Sequence, residues 1–123
     1  MRPSSLKAMT AAQLVERFVE LCLAQDRALL YDEIGKYNKL FDQMWALADE
    51  LKSRPGDQRS ALTPLHNHQN AQVRLKSAIA TLALAPEGSR RTLQLISDRD
   101  EYPQAADARG MMRALDEGRY VPR

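Results

Sequence analysis

Two histidines one residue apart, His66 and His68, stand in the stretch HNHQNAQVRLKSA over residues 66–78. Neutral imidazoles so placed could hold zinc or pass a proton, but a zinc site needs three or four protein ligands in tetrahedral array. The nearest further donors are Asn67, Asn70 and Asp57, and no third histidine exists. The pair therefore reads as the corner between two helices, with no metal and no cofactor expected. An adventitious metal ion on the two rings stays an open alternative.

Cys22, the only cysteine, would be a nucleophile only beside a base that lowered its thiol pKa. It falls four residues after Phe18 on the stripe Leu14, Phe18, Leu21, so the expectation is a packed, inert thiol. Glu16, Glu20, Glu33, Asp42, Asp49 and Glu50 sit beside basic residues on polar faces and read as solvated pairs. The densest acidic cluster is Asp98, Asp100 and Glu101, with Arg99 among them and Tyr102 following. It is expected in a loop, where function concentrates. No Gly-rich phosphate loop, no Gly-x-Ser-x-Gly elbow and no His-Glu-x-x-His motif is present. Trp45 lies one residue off an apolar stripe, at the edge of a core or as an interface anchor.

The elements that must position these residues are helical. Of 123 residues, 44% are apolar and 28% charged, ordinary for a folded soluble chain. Alanine, leucine, glutamine, arginine and glutamate fill stretches of period 3.6, and no strand-like alternation occurs. Thr10 with Gln13 has capping-box spacing. The first helix carries Leu14, Phe18, Leu21 and Cys22, with a turn expected between Asp26 and Asp32. Ile34, Tyr37, Phe41, Met44, Ala48 and Leu51 form a second stripe ending near Ser53, before the breaker Arg54-Pro55-Gly56-Asp57. Residues 10–53 thus form a long helical hairpin. Asp57 can cap a helix with Ala61, Leu62 and Leu65, kinked at Pro64. Asn70 can cap the next, with Ala71, Leu75, Ala78 and Leu82 inward. Pro86 suits the first turn of a further helix with Leu93 and Ile96 inward. Ser97–Pro103 reads as a loop, and a last helix presents Ala105, Ala108, Met112 and Leu115 before Gly118.

The chain repeats itself at 31 to 33 residues, since Leu62 and Leu65 recur as Leu93 and Ile96, and Ala78, Ile79 and Leu82 as Met111, Met112 and Leu115. Such a period with two helices per unit marks a helical solenoid. Leu62-x-Pro64-Leu65 followed by His68-x-Asn70-x-x-Val73-Arg74 resembles a HEAT repeat of the armadillo-type superhelices. His68 and Ala71 depart from the family pattern, which has an acidic residue and a proline at those two places. The resemblance implies an α-α superhelix with repeats at residues 57–85 and 86–118 after the hairpin, one domain over residues 1–123. The whole chain also resembles a small bacterial HEAT-like family of unknown function. A shift of 33 residues places Lys76 over Arg109 and Ala80 over Arg113. In a solenoid, Arg74, Lys76, Arg109 and Arg113 would converge as a basic strip on the concave face.

Function is then expected to be non-catalytic protein binding, in its sharper form an inhibitor or immunity-type partner of another bacterial protein. Nucleic-acid binding through the basic strip is the alternative, and a small enzyme using the acidic loop a further one. A formal net charge of +2 and only seven aromatic residues disfavour nucleic acid. Residues 1–60 hold nine basic and nine acidic side chains and residues 61–123 hold nine and seven, so the excess lies in the second half. No signal peptide and no membrane span are evident, and a single cysteine fits a reducing, cytoplasmic setting.

Overall fold

Thr10 opens the first long helix as its spacing to Gln13 predicts. The Gln13 N–H donates to its hydroxyl at 3.1 Å, and the Gln13 side chain accepts from the Thr10 N–H at 2.8 Å. Such a reciprocal cap stabilises a helix start by typically ~1 kcal/mol. The structure, a computed structural model, describes residues 3–123. Among the described residues are seven helices and no strand: α1 (Pro3–Lys7), α2 (Ala11–Leu30), α3 (Ile34–Ser53), a 3₁₀ helix (Gln58–Asn67), α4 (Ala71–Ala80), α5 (Pro86–Asp98) and α6 (Gln104–Asp116). The all-α expectation holds. They fall into two compact units, the first ending at Ala61 and the second running from Leu62 to Arg123.

In the first unit α2 packs against α3. Leu14, Phe18, Leu21 and Cys22 are buried as the stripe predicts, joined by Gln25 and Ala28. Cys22 Sγ lies 3.9 Å from Met44 Sδ inside that seam. The expected turn over Asp26–Asp32 is shorter, because the helix-forming run Arg27-Ala28-Leu29-Leu30 carries α2 to Leu30. The chain then reverses at Asp32, whose φ of 59° is a left-handed conformation that aspartate tolerates better than most residues.

The second stripe is buried only toward its C-terminal end, at Met44, Leu47, Ala48 and Leu51. Ile34 is exposed and Tyr37 and Phe41 are half-buried. The physical reason is the placing of α1, which packs on α3. Arg54, just past α3, donates to the Leu6 and Met9 carbonyls at 3.1 and 2.6 Å. Cover is thereby added at one end of the hairpin and not at the other.

The second unit begins within the 3₁₀ helix. This segment is not the kinked α-helix expected there: Pro64 lacks the N–H that an α-helix would donate four residues back, and the tighter winding runs through it. Asn70 then caps α4, its side chain accepting from the Gln72 and Val73 N–H groups at 2.8 and 3.2 Å. Packed against both α5 and α6, α4 is buried nearly all round, from Gln72 to Ala80 with Arg74 excepted. Pro86 opens α5, which buries Leu93 and Ile96. It continues through Asp98, so the loop expected from Ser97 starts at Arg99. Along α6 Ala105, Ala108 and Met112 are buried and Leu115 is half-buried. Gly118, at a φ of 73°, turns the chain away. No helix among the described residues is long and apolar enough to cross a membrane.

Candidate functional site: a cationic cleft in the second unit

A cleft of about 590 Å³ opens between the end of the 3₁₀ helix and α5, within the size range of ligand pockets. Thr63, His66, Asn67, His68, Gln69 and Arg74 form the corner wall; Gly88, Arg91, Thr92, Leu95 and Arg99 form the helical wall. Gly88, Arg91, Thr92 and Leu95 recur every three or four residues along one face of α5, and Arg99 caps its C-terminus.

Both histidines of the opening motif belong to the corner and are bonded there. His66 Nε2 lies 2.9 Å from Thr81 Oγ1. Thr81 also donates to the Ser77 carbonyl at 2.8 Å, so one hydroxyl joins the ring to the backbone of α4. Burial holds the His66 pKa below the ordinary histidine value. His68 Nδ1 accepts from the Asn70 N–H at 3.0 Å, which positions the cap of α4. Ser89 Oγ is 2.9 Å from Thr81 Oγ1, but Ser89 and Thr81 are fully buried. Neither hydroxyl can meet a substrate. Among the described residues no group of three or more histidine, cysteine or carboxylate side chains converges to hold a metal.

The expected basic strip and the expected acidic loop turn out to bind each other. Arg74 meets Glu101 through two guanidinium nitrogens at 2.7 Å each and donates to the His68 carbonyl through Nε at 2.7 Å. The Arg74 guanidinium holds the Glu101 carboxyl below the usual range, and Glu101 in turn raises Arg74. Arg109 donates to Ser97 Oγ at 2.8 Å, to the Ser97 carbonyl at 2.7 Å and to Asp100 at 2.6 Å, and also to the Tyr102 hydroxyl. Asp98 accepts from the Gln94 amide at 2.8 Å. Lys76, expected on a solvated strip, is only 6% exposed, because α4 is enclosed by its neighbours. Arg113 is exposed. Trp45, in the first unit, is half-buried and set edge-on to Phe41 with ring centroids 6.0 Å apart.

Two cations outside the expected strip line the cleft: Arg91, which the pattern reading passes over, and Arg99, which it names only as part of the acidic loop. Arg91 and Arg99 are exposed, and their guanidiniums form no ion pair or hydrogen bond with the described residues. Arg99 only assists, without a bond, in lowering the Glu101 pKa. No aspartate or glutamate lines the cleft to neutralise them. A signal was available only in part: Arg91 and Arg99 lie off the Leu93–Ile96 stripe, but Glu87, four positions before Arg91 in α5, suggests in sequence a partner that the structure does not give it.

Comparison with known proteins adds a family. A chain of known structure, "Crystal Structure of the Protein RPA1889 from Rhodopseudomonas palustris CGA009", is 44% identical, with a TM-score of 0.93 over 96% of this chain and 98% of that one. A comparison with curated proteins finds no match. A family model, described as a domain of unknown function (DUF2019), matches residues 12–116. Spanning the hairpin and all of α4 to α6, that match shows that the chain belongs to the DUF2019 family.

Proposed function

We propose that the chain is a non-catalytic protein-binding module whose cleft in the second unit receives a partner. The observation that carries this reading is the pair Arg91 and Arg99, two exposed guanidiniums on one wall of a cleft without a carboxylate. In the same unit Arg74, Arg90, Arg109 and Arg119 each hold an internal carboxylate. Cations left without one at a cleft suit a group that comes from outside. Turnover is the weaker reading there, because a general base must reach its substrate proton within hydrogen-bond distance. His66 Nε2 is instead directed at a buried hydroxyl.

The segments 57–85 and 86–118 read as HEAT-like repeats of an α-α superhelix. Pro64 inside the first helix and the Asn70 cap of the second support that reading. Its sharper functional form is an inhibitor or immunity-type partner of another bacterial protein, in the cytoplasm, where a single buried thiol fits.

A photoreactive residue in place of Leu95, 43% exposed on the cleft wall, tests the module. It should capture one discrete protein in the source cell, and reversing both charges (Arg91→Glu, Arg99→Glu) should abolish the capture. Capture indifferent to that reversal, or catalytic conversion of a component of a metabolite extract by the purified chain, would overturn the reading.

A further inference from the structure

We infer that the cleft takes an extended acidic peptide segment of the form Glu-x-Leu-x-Glu, with aspartate or another aliphatic residue equally suited. This rests on the protein-binding reading and gives the partner its chemistry. Arg91 and Leu95 on α5, and Arg99, which caps its C-terminus, stand at successive four-residue steps and all line the cleft. At 1.5 Å per helical residue each step is about 6 Å. An extended peptide advances about 3.3 Å per residue and returns to the same face every second residue, about 6.6 Å. A carboxylate, an apolar side chain and a second carboxylate at alternate positions therefore match cation, leucine and cation in register. Guanidinium is the group best shaped for paired hydrogen bonds to carboxylate.

The opposite wall suits a peptide backbone. Asn67 and Gln69 are exposed there, and each carries both an amide donor and an acceptor. Other anions fit less well. Nucleic-acid strands bind on aromatic stacking platforms, and no phenylalanine, tyrosine or tryptophan lines this cleft, whose two histidines are held by bonds within the corner. Phosphate favours the open N–H groups of a helix N-terminus, but at α4 Asn70 already accepts from Gln72 and Val73, and the first turn of α5 carries Glu87, whose charge opposes a phosphate there.

Fluorescence anisotropy on the full chain, at about 50 mM salt to limit screening, provides the test. The probe is a labelled Gly-Ser-Glu-Ser-Leu-Ser-Glu-Ser-Gly peptide. It should bind at least about tenfold tighter than the same peptide with both glutamates replaced by glutamine, the scale of one charge-assisted hydrogen bond. Arg91→Ala and Arg99→Ala should each remove about that factor while leaving the thermal melt unchanged. Arg113→Ala should leave binding unchanged. Moving the two glutamates next to each other should weaken binding, since only one can then face α5. Equal binding of the glutamine peptide overturns the inference, as does binding unaffected by Arg91→Ala and Arg99→Ala. Tighter, Arg91-dependent binding of oligothymidine would replace the peptide with nucleic acid. If no peptide binds while the Leu95 cross-link still captures a protein, the acidic register is wrong and the module stands.

Discussion

The hairpin of α2 and α3 and the three-helix unit that follows bury their helices with different chemistry. The hairpin seam is leucine, phenylalanine, cysteine and methionine, with Gln25 as its one buried polar side chain and Arg59 near the end of the unit. The second unit buries Gln72, Lys76, Ser77, Thr81, Ser89, Thr92, Ser97 and Gln104. An apolar seam tolerates sliding, because dispersion contacts have no direction. A buried hydrogen bond does not, because a broken one leaves a desolvated group. Thr81, the hub for His66, Ser77 and Ser89, ties the corner to α4 and to the start of α5. The walls of the cleft are thereby fixed to each other. The unit with the directional interior is also the unit with the cationic cleft.

The largest effects should not distinguish the two units, because apolar packing dominates both. Phe18→Ala in the hairpin should cost about 3–5 kcal/mol, and Leu82→Ala or Leu93→Ala in the second unit about 2–5. Phe18 and Leu93 are wholly buried and Leu82 nearly so. Urea midpoints check this. A Leu93→Ala loss under about 1 kcal/mol would mean that the polar network, not packing, holds the second unit.

Next in size come substitutions that only the second unit should feel. Gln104 donates to Gln72 at 2.9 Å in the interior, so Gln104→Ala opens a cavity and disturbs a buried amide. A cost of about 1–3 kcal/mol is expected. Replacing both glutamines by leucine should cost less than the two single changes added together, since neither amide is then left without the other. Strict additivity in that cycle would show that the two amides do not depend on each other.

How much of this could be read from the chain alone follows the range of the interactions. Thr10 with Gln13, Asn70, Pro86 and Gly118 each act within four residues, and all four punctuate the structure where the sequence places them. The apolar stripes were plain as well, except at Ile34, an expected core position that stays exposed. Lys76 was not, because its burial depends on α4 having neighbours on nearly every side, which a face-by-face reading cannot count. Arg109 and Asp100 looked like members of two surfaces because the loop that joins them folds back over nine residues. Arg91 escapes notice, and Arg99 reads as a member of the acidic loop, for the converse reason: an arginine without a partner looks, in sequence, like one that has a partner elsewhere.

Acid acts on both units, through Asp57 beside Arg59 in the first and through Glu101 and His66 in the second. Arg74→Ala removes the two-toothed grip on Glu101, whose side chains are 12% and 25% exposed. It should cost about 1–2 kcal/mol, between an exposed pair and a fully buried one. Glu101 has a folded pKa below its unfolded one. Its contribution is therefore present above the ordinary glutamate value and lost as pH falls through the folded value. His66 is also lowered, by burial. The unfolded ring then binds a proton first, so stability declines as pH drops below about 6.5, the ordinary histidine value. Melts from pH 7 to pH 4 should show a two-part loss. Arg74→Ala should flatten the part below about pH 4.5, and His66→Asn the part that begins below about 6.5. A pH profile identical in all three proteins would remove both groups from the account.

The smallest expected effect on stability is the sharpest discriminator. Arg91→Ala and Arg99→Ala remove exposed cations that hold no internal partner, so each should change stability by less than about 0.5 kcal/mol. The direct contrast is Arg74→Ala, on the same cleft but tied to Glu101. Arg99 lies close enough to lower the Glu101 pKa, so its removal should narrow the acid-side loss slightly. Arg91→Ala should leave the pH profile as it was. A combined Arg91→Ala, Arg99→Ala variant should remain within about 1 kcal/mol of the parent, the two sites being far enough apart to add. A loss of several kcal/mol in that variant would show that the two arginines brace the corner against α5, and the cleft would then be architecture and not a site.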